Sequence, residues 1–238
     1  MPKLIKTIKP ALNLSYSKEF NFNIIPYPIM NQKNTSLIDR ELLERAMSYE
    51  DYTLLIERLF AEGKTTGDNH SEAMLNYAKL NIQRMKRLGK TIVLSNELEE
   101  SIKNYSGNAM TWLVLTEGWC GDAAQSLPLI NKMGQLSDKI KVKLLLRDEN
   151  LDIMDQFLTN GGRSIPKLIV LDDKNLEVCG TWGPRPKEAQ EMAIAFRKKE
   201  NGDYQEFNKT LQLWYAKDKT LSMQREFIDL ITNCMSKQ

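Results

Sequence analysis

Cysteine and histidine are scarce in this chain, with three of the first and one of the second in 238 residues. That count excludes a disulfide framework and argues against a Cys/His zinc site. Charge of one sign is also missing: 33 Lys+Arg against 31 Asp+Glu leave a formal net charge of +2. Such a balance supplies no electrostatic drive toward nucleic acid or an anionic membrane. No run approaches the ~18 consecutive apolar residues of a membrane-spanning helix. The opening stretch MPKLIKTIKPALNLSYSKEF has lysines but no continuous apolar core, so it does not read as a secretory signal. Internal repeats and low-complexity runs are absent as well. These absences predict a cytoplasmic protein without metal or cofactor. What remains, 42% hydrophobic and 27% charged residues, is an ordinary globular composition. The length suits one or two domains and the burial of about 70% of the unfolded surface.

Residues 1–36 carry Pro10, Pro26 and Pro28 with Phe20, Phe22 and Tyr27 between them. Proline limits helix here, which predicts an extended arm. Residues 37–90 read as a helical extension. Leu42, Leu43 and Ala46, then Leu54, Leu55, Ile56 and Leu59, predict two helices with Ser48 as the cap between them. Gly63, Gly67 and Asp68 break the chain. Leu75, Ala78, Ile82, Met85 and Leu88 then form an amphipathic stripe that Gly89 is expected to end. Residues 91–200 alternate strand and helix. Strands are expected at 91–94, 111–116, 140–146, 167–171 and 176–181, with helices at 95–105, after Cys120, at 149–159 and at 187–199. The order is βαβαβαββα, the last two strands forming a hairpin across Asp172-Asp173-Lys174-Asn175. Residues 201–238 add two amphipathic helices bearing Phe207, Leu211, Trp214, Leu221, Ile228 and Ile231.

The chemistry concentrates in Thr116-Glu117-Gly118-Trp119-Cys120-Gly121-Asp122-Ala123. A cysteine that follows a buried strand and opens a helix meets unpaired backbone N–H groups and the positive end of the helix dipole. Both favour thiolate and so predict a lowered thiol pKa. Asp122, two residues on, works the other way if its carboxylate approaches the sulfur.

Here the chain resembles the thioredoxin superfamily, over about 91–200. Trp119-Cys120 falls where that family has its Trp-Cys pair and nucleophile. Pro128 matches the proline of the helix that follows, and Arg163-Ser164-Ile165-Pro166 matches the cis-proline loop. Glu117, Asp122, Gln125 and the later Trp182-Gly183-Pro184-Arg185-Pro186 look like a bacterial thioredoxin-like subgroup with long N-terminal helices. The resemblance implies an α/β fold, a central mixed sheet flanked by helices, with extra N- and C-terminal helices. It implies a cis Ile165–Pro166 bond with Pro166 opposite Cys120. It also implies a groove in which Ile165, Pro166, Trp119, Gly121 and Asp122 hold a substrate and Arg163 and Arg185 attract an anionic one.

The family's second active-site cysteine would stand at position 123, where this chain has Ala123. The ordinary dithiol cycle resolves its mixed disulfide with that thiol. Cys179 and Cys234 are the substitutes available, although a buried structural thiol is the plainer reading of each. Cys120 therefore points to monothiol exchange with a protein disulfide or a low-molecular-weight thiol. Two alternatives stand beside it. One is a non-catalytic module that keeps the groove for a protein or peptide, with the added helices covering a face or forming a homodimer interface. The other is a thiol peroxidase acting through a sulfenic acid. Other signals have bland readings. Gly63-Lys64-Thr65 lacks the earlier phosphate-loop glycine, since position 58 is Arg58. His70 reads as a solvated or capping residue of a polar turn, Arg84, Lys86, Arg87 and Lys90 as the solvated side of a helix and the turn after it, and Asp172-Asp173 as a turn. Trp214 and Tyr215 read as core anchors, Trp119 as an active-surface residue, and Trp182 as either packing or lining.

Overall fold

A computed structural model describes residues 37–236; the arm expected at 1–36 lies outside them. Four strands, β1 (Met110–Thr116), β2 (Ile140–Leu146), β3 (Lys167–Asp172) and β4 (Val178–Trp182), form one mixed sheet in the order β2-β1-β3-β4. β1 runs parallel to β2 and antiparallel to β3, and β3 and β4 form an antiparallel pair. All seven residues of β1 are buried. That pattern needs cover on both faces of the sheet and accounts for the unbroken apolar run TWLVLT.

The N-terminal side supplies α1 (Arg40–Arg45), α2 (Tyr49–Ala61) and α3 (Glu72–Thr91). Ser48 caps α2 in a reciprocal box with Asp51, which satisfies two backbone donors at once. The stripe on α3 buries Ala78, Asn81, Met85 and Leu88. Gly89 does not end this helix, which runs on to Thr91. One glycine costs a helix only about 1 kcal/mol, and the packing of Met85 and Leu88 outweighs it.

The strand expected at 91–94 is absent. Ile92 and Leu94 are buried and Val93 is 79% exposed, the alternation of an extended segment. Side chains take its backbone groups instead of a neighbouring strand. Lys132 Nζ donates to the Ile92 carbonyl (2.6 Å) and Gln224 Nε2 to the Val93 carbonyl (3.0 Å), while the Ser95 N–H donates to Gln224 Oε1 (2.7 Å). Ser95 then caps α4 (Asn96–Lys103).

α5 (Gly121–Gly134) follows β1 and contains Pro128. The helix expected over 149–159 shrinks to the single turn α6 (Leu151–Met154). Asn160 and Gly161 adopt left-handed backbone at φ 50° and 75° and fold the chain into a Thr159–Gly162 bridge. α7 (Lys187–Arg197), α8 (Tyr204–Asp218) and α9 (Leu221–Met235) complete the described chain. α9 packs on β4 and α4, and its Phe227 ring lies between Trp112 (5.3 Å) and Trp182 (5.4 Å). Among the described residues no helix is long and apolar enough to cross a membrane.

Candidate functional site

β1 delivers the chain into a tight turn in which the Cys120 N–H donates to the Glu117 carbonyl (3.1 Å). Gly118 is held from both sides of that turn. Its N–H donates to Thr66 Oγ1 (2.8 Å) and its carbonyl accepts from Asn81 Nδ2 (3.0 Å). Glu117 is fully buried and accepts the Asp148 N–H (2.9 Å); burial raises its carboxyl above the ordinary range. Trp119 is half-buried with the Arg147 guanidinium 5.1 Å above its ring, a cation–π contact.

Cys120 is the N-cap of α5. Its Sγ accepts the Ala123 N–H (3.4 Å) and its thiol donates to the Ile165 carbonyl (3.3 Å). The Ile165–Pro166 peptide is cis and Pro166 is buried. The helix end predicts a lowered thiol pKa, and burial of the thiol reverses the direction. Cys120 is only 7% exposed, and burial pushes the thiol up to about 12. Asp122 adds to the rise, while the Ala123 and Asp122 N–H groups and Arg185 oppose it. The helix end acts as the sequence suggests, and desolvation outweighs it.

Desolvation comes from the helices on either side. Asp122 is buried, with Oδ2 on Arg185 Nη2 (2.6 Å) and Oδ1 accepting from the Tyr215 hydroxyl of α8 (2.9 Å). Burial raises the Asp122 carboxyl, while Arg185, Tyr215 and Arg84 pull it back. Gln212 of α8 accepts from Gln125 Nε2 (2.7 Å). On the α3 side, Arg84 Nη1 donates to Asn81 Oδ1 (2.6 Å). Gly183 sets the position of Arg185. Its φ is +110° and an added Cβ would collide with the Pro166 carbonyl, so only glycine lets the end of β4 close onto the proline loop.

Cys120, Asp122, Ile165, Pro166 and Arg185 thus come together, with Gly121 and Trp119 flanking the thiol in sequence. Arg163 does not join the cluster through its side chain. It is exposed, with its guanidinium forked on Asp155 (2.6 and 2.7 Å), and only its carbonyl reaches toward the site by accepting from Arg147 (3.2 Å). Trp182 is a packing residue: its ring meets Phe227 at a tilt, and its Nε1–H donates to Glu226 Oε2 (2.6 Å). Tyr215 is both an anchor, packed with Leu211, Phe207 and Trp214, and a hydrogen-bond donor to Asp122. Cys179 is buried and donates to the Val170 carbonyl (3.5 Å), and Cys234 is fully buried in α9.

Asn81 and Arg84 are the residues that sequence reading missed at this site. The available signal was an asparagine at position 81 within the buried 78–81–85–88 stripe, since a polar residue on such a stripe needs a partner. Arg84 is half-buried beside Gly121, not on the solvated side of its helix. A separate cavity of about 480 Å³, lined in part by Arg45, Lys64, His70 and Asn150, does not include Cys120. The thiol and its charged neighbours, not cavity volume, mark the site. Among the described residues no group of three or more His, Cys, Asp or Glu is placed to hold a metal ion.

The fold has a counterpart among solved structures. A protein of unknown function from Pseudomonas aeruginosa superposes with a TM-score of 0.54 at 17% identity, over 83% of this chain and 97% of its own. An HIV epitope-scaffold gives a TM-score of 0.47 at 19% identity, over 79% and 97%. No curated protein matches. A thioredoxin family model matches residues 67–208, more than half of the chain and the whole stretch from α3 through the site to the first turns of α8. With its mixed sheet, its helix-capping cysteine and its proline loop, the chain belongs to the thioredoxin family.

Proposed function

We propose that this protein carries out thiol–disulfide exchange by a monothiol route at Cys120. The observation that supports this most is the seat of Cys120, where the sulfur caps α5 against the Ala123 N–H and touches the Ile165 carbonyl before Pro166. The Cys120 thiolate attacks one sulfur of a disulfide, forming a mixed disulfide as the other sulfur leaves with the bonding pair. Position 123 is a buried alanine, so no adjacent thiol resolves that intermediate. A low-molecular-weight thiol attacks instead, restores the Cys120 thiolate and departs in a new disulfide. Proton loss has to follow access, because the closed site holds the thiol neutral.

Burial of Cys120 also favours the second reading, a binding module of thioredoxin fold in which the thiol is a structural cap. Mass mapping after treating the native protein with a small disulfide separates the two. Exchange predicts an adduct on Cys120 that a small thiol reverses. Modification of Cys120 only after unfolding would sink the exchange reading and leave the binding module.

A further inference from the structure

We infer that the cavity between α2, the turn at 63–70 and the free edge of β2 binds a medium-chain aliphatic carboxylate. Cys120 does not line this cavity, and the inference stands independently of the exchange reading.

The sheet order makes β2 an edge strand. Successive residues of a strand turn their backbone groups to opposite sides. The Arg147 N–H donates inward to Thr116 of β1 (3.0 Å), so Leu144 and Leu146 present theirs to the free edge. Met47 covers the first of these, exchanging both backbone hydrogen bonds with Leu144 (2.9 and 2.8 Å). An antiparallel partner continuing past that bridge would set residue 45 opposite Leu146, but Arg45 is the last residue of α1. The edge is therefore left open one step beyond Met47. The Leu146 carbonyl accepts from Asn150 Nδ2 (2.8 Å). Its N–H meets no acceptor among the described residues, on a residue 7% exposed that lines the cavity. A buried backbone donor left without an acceptor is costly and uncommon, and an acceptor entering the cavity relieves it.

The rest of the lining defines the molecule that carries that acceptor. Met47, Leu55, Leu59 and Leu145 give an aliphatic floor, with no Phe, Tyr or Trp among the described lining residues. The rim is cationic: Arg45 and Lys64 stand against one acid, Glu149. Among the described residues Arg45 makes no ion pair. Lys64 reaches Glu62 only at 3.7 Å in solvent, a contact that leaves its charge largely available. His70 accepts the Thr65 N–H at Nδ1 (3.4 Å), so the neutral ring keeps its proton on Nε2 and adds a donor. An alkyl chain replaces water over the leucines, and a carboxylate accepts from the Leu146 N–H and the rim. The volume of about 480 Å³ lies within the small-molecule range of roughly 300–1,000 Å³. A cation would be repelled at the rim, and a short carboxylate would leave the floor wet.

Calorimetric titration of the full chain with octanoate, 1-octanol, butanoate and octylammonium tests this. Octanoate is expected to bind saturably, and the other three at least about tenfold more weakly. Arg45→Gln and Lys64→Gln alter exposed side chains. Each should weaken octanoate about threefold, and both together about tenfold. In ¹⁵N-labelled protein the Leu146 amide, with those of Thr65 and Thr66, should shift along the same binding curve. Absence of octanoate binding overturns the site, as does binding indifferent to the double variant. Equal affinity for 1-octanol, butanoate or octylammonium, or a shift map that leaves Leu146 unmoved, overturns it as well.

Discussion

α8 and α9 are neighbours in sequence and opposites in attachment. α9 buries Met223, Phe227, Ile231 and Cys234 in the main core, with the Phe227 ring against two tryptophans of the sheet. α8 buries only Leu211 and Tyr215, in a small cluster with Ala189 that stands apart from the main core. What fixes α8 over Cys120 is polar: the Tyr215–Asp122 and Gln212–Gln125 hydrogen bonds. Apolar burial scales with area and yields only when the core opens, whereas a net hydrogen bond contributes about 1 kcal/mol and yields locally. The difference assigns the two helices different work. α9 belongs to the fold, and α8 is held against the Cys120 site by polar contacts beside a small apolar cluster.

The largest test of that contrast is Phe227→Ala. Removing a fully buried ring from between Trp112 and Trp182 is expected to cost about 3–5 kcal/mol in urea unfolding. A cost below about 1 kcal/mol would place α9 in the same loosely held class as α8 and erase the comparison.

Next in size is Asp122→Asn, which leaves the half-buried Arg185 without its counter-charge at a cost of about 3 kcal/mol or less. The sign at Cys120 is the opposite of a simple loss. Asp122 is the second cause, after burial, of the raised thiol pKa, so neutralising it favours thiolate. The midpoint of the alkylation rate against pH should therefore move down from the wild-type value even as the protein becomes less stable. A midpoint that stays where it was would mean that desolvation alone sets the Cys120 titration.

Much of this arrangement was legible in the residues, and the exceptions have physical causes. The runs at 111–116 and 167–171 are strands because they are mostly apolar over lengths that suit a covered sheet, and 140–146 alternates Lys141 and Lys143 with apolar residues before the buried Leu144, Leu145 and Leu146. Ser48, Ser95 and Cys120 each cap a helix by accepting a backbone N–H, a local pattern that needs no tertiary knowledge. The segment 91–94 has the alternation of a strand, but pairing is a tertiary event, and Gln224, 129 residues beyond Ser95, decided it. The helix expected at 149–159 keeps one turn, because past Met154 the backbone tightens into i→i+3 bonds from Gln156 and Phe157 ahead of the Thr159–Gly162 bridge. At the site, the cysteine and its proline were visible, but the covering groups come from α3 and α8. Nothing within a window around Cys120 shows that Tyr215, 93 residues after Asp122, will bury it. The missed burial is why the expected lowering of the thiol pKa became a rise.

Tyr215→Phe makes the smallest change and asks the sharpest question of the two helices. The ring keeps its place with Leu211, Phe207 and Trp214, so the apolar attachment of α8 is preserved and only the hydroxyl is lost. Asp122 Oδ1 then lacks its donor, at a cost of about 1.5 kcal/mol for a hydrogen bond to a charged group. If α8 opens as a local unit, that loss makes the open form about tenfold more populated. Amide exchange in α8 and alkylation of Cys120 should then both quicken about tenfold, while amide exchange in α9 keeps its wild-type rate. A parallel rise in α9 would show that the two helices leave the core together. Unchanged alkylation of Cys120 despite faster exchange in α8 would show that access to the thiol lies on the α3 side, past Arg84.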